Sequence, residues 1–151
     1  MRIFIFSIVL LLTLVATGSV FGQKLCIKEH SADLLSSPSR SGSVVVLQIP
    51  KYYPLDVLGE NGDFFRVRDF LGRNGWVEKA LVQPQISIVV ISSIANVRSG
   101  AGKDHEILFK ARRGVTFRVL ENRHGWLHVE HESGKTGWLF ENLVWGLPKN
   151  A

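Results

Sequence analysis

The chain repeats itself, and the repeat length limits what each half can fold into. Gly72-Arg73-Asn74-Gly75-Trp76 realigns on Gly134-Lys135-Thr136-Gly137-Trp138 with a shift of 62 residues. The same shift carries Val45-Val46-Leu47 onto Ile107-Leu108-Phe109, Val57-Leu58 onto Val119-Leu120, Phe64 onto Trp126, Val67 onto Val129, and Leu81-Val82 onto Leu143-Val144. Further upstream the shift becomes 63, pairing Ala32-Asp33-Leu34 with Ala95-Asn96-Val97. A loop one residue longer in the first half accounts for the slip. Self-similarity at a fixed period defines the folding unit before any other pattern does. A unit of about 60 residues is small for an enzyme and sufficient for a small β-barrel.

Within each unit the periodicity is that of strands. Lys24 to Lys28 and Ile86 to Ile91 are short β-prone openings. Val115, Phe117 and Val119 alternate onto one face, as the period of two requires. Leu127 and Val129 share a face, which leaves Trp126, His128 and Glu130 on the other. Asn122-Arg123-His124-Gly125, Ser133 to Thr136, Glu60 to Asp63 and Leu71 to Asn74 carry the residues of tight turns. The expected fold is all-β, two tandem small barrels of about five strands each, closure removing the edges that a flat sheet exposes. The expected organisation is a signal peptide at 1–22, a first unit at 23–83 and a second at 86–145, joined across Gln83-Pro84-Gln85.

The N-terminus reads as a targeting segment. Arg2 is followed by an almost wholly apolar run from Ile3 to Val15, then by small residues ending at Gly22. The run is short of the roughly 20 residues that span a bilayer, so a cleaved secretory signal is the expectation. No membrane span is expected after cleavage. Loss of Arg2 leaves 17 of the 18 Lys and Arg against 13 acids, a net charge of +4. Mild basicity suits anionic envelope polymers, and export argues against nucleic acid as a partner. Cys26, the single cysteine, excludes an intrachain disulfide and sits in the apolar Leu25-Cys26-Ile27, where burial is expected.

The second unit resembles the bacterial SH3-like domain family. The resemblance is carried by Asn96-Val97-Arg98-Ser99-Gly100-Ala101-Gly102, Gly114, Val119-Leu120-Glu121, Gly125-Trp126-Leu127-His128-Val129 and Gly134-Lys135-Thr136-Gly137-Trp138-Leu139. Ala101 stands where the family usually has proline. The first unit resembles a degenerate copy, through Leu55 to Leu58, Asp63 to Arg68 and Gly72 to Val77, with Leu35 where Arg98 lies in the second. The resemblance implies two tandem SH3-like barrels with no catalytic residues, acting as an attachment module in the bacterial envelope, periplasmic or secreted. It implies a peptidoglycan stem peptide or an envelope protein as partner. The alternative is an accessory subunit of an envelope enzyme or secretion complex with no wall affinity of its own.

The candidate ligand contacts are Trp126, Arg98, Asn96, His128 and Phe64. Trp126 is expected on the outer face beside a loop, as a stacking platform, with Phe64 as its counterpart. Arg98 can meet a ligand carboxylate or clamp its own loop. Trp76 and Trp138 are expected to fill one end of each barrel. His124, His128 and His131 do not share a face, and the zinc spacings are missing. No metal and no cofactor is expected, and the run Lys110 to Arg113 reads as a solvated loop.

Overall fold

Among the described residues, alternating apolar positions separated by glycine-bearing turns give fourteen short strands. The structure, a computed structural model, describes residues 22–149, so the expected signal segment lies outside the described residues apart from Gly22. The first half contains β1 (Lys24–Ile27), β2 (Ser31–Leu35), β3 (Val45–Pro50), β4 (Pro54–Asn61), β5 (Phe64–Arg68), β6 (Asn74–Glu78) and β7 (Val82–Gln83). The second contains β8 (Ser87–Val90), β9 (Ile94–Arg98), β10 (Ile107–Arg112), β11 (Thr116–Arg123), β12 (Trp126–Glu130), β13 (Thr136–Phe140) and β14 (Val144–Trp145). A single 3-10 turn precedes the last strand of each half, at Lys79–Leu81 and Glu141–Leu143.

Each half forms one seven-stranded antiparallel sheet, and the two strand orders correspond: β3-β2-β6-β5-β4-β1-β7 and β10-β9-β13-β12-β11-β8-β14. The slip in the repeat has a location. From β3 onward the strands of the two halves lie 62 residues apart, whereas β1 and β2 lie 63 before β8 and β9. The extra residue therefore falls in the loop 36–44, against 99–106 in the second half. A bulge follows Val57 in β4 and another follows Val119 in β11, at matching positions. Bulges of this kind increase local twist and bend the long strand.

Closure and strand number differ from expectation. Each sheet has seven strands rather than five, and its end strands, β3 with β7 and β10 with β14, are not paired with each other. The sheets are open. One of the two additional strands in each sheet is a two-residue strand after the 3-10 turn that folds back onto the opening strand, β7 on β1 and β14 on β8.

Each sheet coils around its own core. Ile27, Leu34, Leu55, Val57, Val67 and Val77 fill the first, and Ile88, Val97, Phe117, Leu127, Val129 and Leu139 the second. Gly75 and Gly137 face these cores. A Cβ on Gly137 would lie 2.5 Å from Val97 Cγ1, and one on Gly75 would lie 2.5 Å from Leu34 Cγ. Because side chains alternate along a strand, a core-facing glycine turns the next residue outward. Trp76 and Trp138 thus lie on the outer faces and do not fill the barrel ends. Trp138 is nonetheless 9% exposed, covered by outer-face neighbours rather than by the core.

The halves meet along a seam. Thr116 Oγ1 donates to the Lys51 carbonyl at 2.7 Å, and His30 Nδ1 lies 3.0 Å from Glu132. Lys24 Nζ sits 3.9 Å from the Trp145 ring centre while pairing with Asp56 at 2.6 Å. Gly146, at φ 129°, passes so close to the Ser87 carbonyl and Pro54 that a side chain there has no room. Cys26 is fully buried, and burial pushes its thiol pKa up. The thiol is therefore held protonated, the form unsuited to nucleophilic attack.

Candidate functional site

On the outer face of the second sheet, strand pairing brings side chains from four segments together. Ile94, Asn96 and Arg98 alternate along one face of β9, next to β13 through the pair Trp138–Arg98. Trp126 opens β12 and is paired across the hairpin with Phe140, the last residue of β13. The two rings pack at 5.3 Å between centres, tilted by 56°. Asn142 and Leu143 follow in the 3-10 turn, and Lys103 leans in from the loop 99–106. Together these eight residues line a cleft of about 690 Å3.

The turn before Trp126 is set by local chemistry. His124 and Gly125 both have positive φ, 51° and 84°, the geometry of a tight two-residue hairpin turn. The Gly125 N–H donates to Asn122 Oδ1 at 3.1 Å. The turn fixes the start of β12 and with it the Trp126 ring.

The loop beside the cleft is built around His105. Its imidazole packs so closely on Gly100 that a Cβ there would lie 2.5 Å from Cε1, and Gly102 lies beneath the same ring. The glycines of the Asn96 to Gly102 motif thus make a seat for this ring. Arg98 Nη1 donates to the His105 carbonyl at 2.9 Å, and the Ser99 N–H donates to the Glu106 carbonyl at 2.8 Å. Arg98 therefore clamps its own loop and lines the cleft at once. One guanidinium N–H is spent, and its other donors and its charge remain.

Three of the five candidate residues, Trp126, Arg98 and Asn96, meet in this cleft. His128 does not line it. Its ring stacks on Trp138 at 4.8 Å, with the planes 12° apart, and Arg123 lies over Trp138 at 4.8 Å. Phe64 belongs to the other sheet, where it pairs with Glu78. The remaining lining residues were not singled out from the sequence. Ile94 could have been found from its shared face with Asn96 and Arg98. Phe140 could have been found from the hairpin register opposite Trp126. Lys103 and His105 had no periodic signal, because their positions depend on how the loop folds back. His131, the third of the clustered histidines, puts its ring edge against Phe117 at 5.7 Å and its Nδ1 2.9 Å from Ser133 Oγ.

The matching place on the first sheet is chemically different. Applying the repeat shifts, Asp33, Leu35, Phe64 and Glu78 stand where Asn96, Arg98, Trp126 and Phe140 do. Arg40 donates to both Glu78 oxygens, at 2.8 Å and 2.5 Å. An internal ion pair reaches across this place from the loop 36–44. Another cleft, of about 570 Å3, lies in the seam near Lys24, Asp56, Arg68, Pro84 and Ser87. There Asp56 pairs with Lys24 at 2.6 Å and lies 3.7 Å from Arg68.

Comparison with known proteins falls on the second half. Residues 92–146 match the family model described as Bacterial SH3 domain. That segment holds every residue lining the Trp126 cleft. A curated relative, "Putative N-acetylmuramoyl-L-alanine amidase YrvJ" of Bacillus subtilis (strain 168), is 24% identical over 111 residues, covering 66% of this chain and 21% of the relative. The chain therefore spans about a fifth of that relative's length. Among solved structures, NlpC1 from Trichomonas vaginalis is similar over 85% of this chain and 47% of its own, at 15% identity and a TM-score of 0.37. An NlpC/P60 family protein from Bacillus cereus ATCC 10987 is similar over 82% and 56%, at 13% identity and a TM-score of 0.40. Among the described residues, no helix is long and apolar enough to cross a membrane.

Proposed function

We propose that this chain is an exported, noncatalytic binding module of the bacterial envelope, with two tandem SH3-like units, at 23–83 and 86–145, behind a signal peptide. Its second unit holds cell-wall peptide in the cleft at Trp126. The observation that carries this reading is the cleft itself. A half-buried aromatic pair, Trp126 and Phe140, is flanked by Arg98, Lys103 and two carboxamides, within the segment matched as a bacterial SH3 domain. Aromatic faces give a peptide a rigid surface at small entropic cost, and the polar groups around them set its orientation. The relative's name, that of an amidase for N-acetylmuramoyl-L-alanine, supports a wall ligand. The first unit, with Arg40 engaged by Glu78, serves as a packing partner for the second.

The test is co-sedimentation of the mature protein with purified sacculi. Trp126→Ala is expected to weaken binding roughly thirtyfold, the scale of an aromatic anchor worth about 2 kcal/mol. Its thermal midpoint should move little, because the ring lies outside the core cluster. If the parent protein stays in the supernatant with every wall fraction, the accessory-subunit reading replaces this one.

A further inference from the structure

The charged residues that line the Trp126 cleft have one sign. Arg98 and Lys103 are its ionised lining residues, and the other six are Ile94, Asn96, Trp126, Phe140, Asn142 and Leu143. Among the described residues no carboxylate lines it. Lys103 is exposed. Arg98 spends one N–H on the His105 carbonyl, which holds the guanidinium in place without neutralising it. The cleft therefore presents two cations beside an apolar floor, with carboxamides able to donate or accept.

The first unit supplies an internal comparison. Its matching positions carry two carboxylates, Asp33 and Glu78, and the nearby cation Arg40 is held by Glu78. Two units with the same strand order thus differ in the sign of charge at one place. The difference belongs to the cleft and not to the fold, since neither core contains these residues.

We infer that the cleft recognises a free carboxylate on the wall peptide, seated between Arg98 and Lys103 while an adjacent apolar group rests on Trp126 and Phe140. This rests on the wall-binding reading above and names the group within the ligand that is read. A carboxylate accepts charge-assisted hydrogen bonds from guanidinium and ammonium groups, and these are stronger than bonds between neutral partners. An amide in its place keeps the shape and loses the charge, so a cleft of this kind separates the two.

The experiment uses the mature full chain and sacculi stripped of attached anionic polymers. One portion is left intact, and the other has its carboxylates converted to amides. Two charge-matched variants accompany the parent: Lys103→Gln at the cleft, and Arg66→Gln on an exposed position of the first unit as control. The parent is expected to bind intact sacculi and to lose roughly tenfold in affinity on the amidated ones. Lys103→Gln should lose a comparable factor on intact sacculi and little more on amidated ones, while Arg66→Gln follows the parent. Equal binding of the parent to both preparations overturns carboxylate recognition and leaves wall binding standing. Equal losses in Lys103→Gln and Arg66→Gln overturn it too, by showing general charge attraction. Failure to bind either preparation overturns this inference together with the wall reading, and points to a protein as the ligand.

Discussion

Gly137 and Trp138 divide the two faces of β13 between them. The glycine faces Val97 in the core, and the tryptophan lies outside against His128 and Arg123. A methyl at Gly137 would meet Val97 Cγ1 at 2.5 Å and the Arg98 carbonyl at 3.0 Å. Backbone cannot yield as a side chain end does, so Gly137→Ala should destabilise by about 1–3 kcal/mol, the usual cost of overpacking. A thermal melt checks it, and an unchanged midpoint would show that β9 shifts freely. Because β9 also carries Asn96 and Arg98, the same variant should distort the cleft. Trp126 is a contrasting case. It contributes little to the core, and its removal is expected to spare folding and impair binding.

At the scale of elements, the β5–β6 turn and its counterpart β12–β13 share their backbone hydrogen bonds and differ in the side chains that tie them. In the first unit, Asp69 ties the β5–β6 turn together: its Oδ1 accepts from the backbone N–H groups of Leu71 and Arg73, each at 2.9 Å. Its Oδ2 accepts from Arg73 Nε at 2.7 Å and from the Tyr53 hydroxyl at 3.1 Å, which links this turn to the start of β4. Burial first, then the Asp69 charge, pushes the Tyr53 pKa up to about 12 from its usual 10. A phenol harder to ionise when folded stabilises the fold fully below pH 10, and this contribution is lost as pH rises from 10 towards 12. Alkaline denaturation should therefore begin in that window, and Tyr53→Phe should flatten it. Coincident tyrosinate absorbance at pH 10 in native and unfolded protein would refute the link. Much of the fold was legible from residues alone, because Val115-Phe117-Val119 and Leu127-Val129 show the strand period directly. The strands β7 and β14 were not, since two residues hold no period and pair with partners far along the chain. The sheets are open because their end strands do not pair with each other, which no local pattern records. In the cleft, Trp126 was legible by alternation, whereas Asn96 and Arg98 stood out through the resemblance of a segment read as a loop, and the structure makes them part of the strand β9. Lys103 and the seat that Gly100 and Gly102 make for His105 depend on how the loop folds, which no local pattern records.

At the scale of the whole molecule, specific contacts join the two sheets, among them Thr116 with Lys51, Lys24 with Trp145, and the close passage of Gly146 by Pro54. Gly146→Ala adds a methyl where there is no space, at a φ that L side chains rarely adopt. It should loosen the seam at Pro54 and strain β8 of the second unit at Ser87 and Ile88, leaving the first core intact. Calorimetry is expected to resolve two transitions in the variant where the parent shows one; a single unshifted transition would mean that the seam contributes nothing. The matching strand orders carry a cost of another kind. A chain emerging from the ribosome completes β1 to β7 before β8 to β14 exist, and each later strand then meets an earlier sheet of the same plan with open edges. Misassembly between neighbouring similar units is a known hazard of repeated chains. The divergence at matched positions, Leu35 against Arg98 and Glu78 against Phe140, makes a strand borrowed from the wrong half a poor fit: an exchanged β9 would set Arg98 in the buried place of Leu35. The differences on which the proposed binding by the second unit rests thereby also keep the two halves from being mistaken for one another during synthesis.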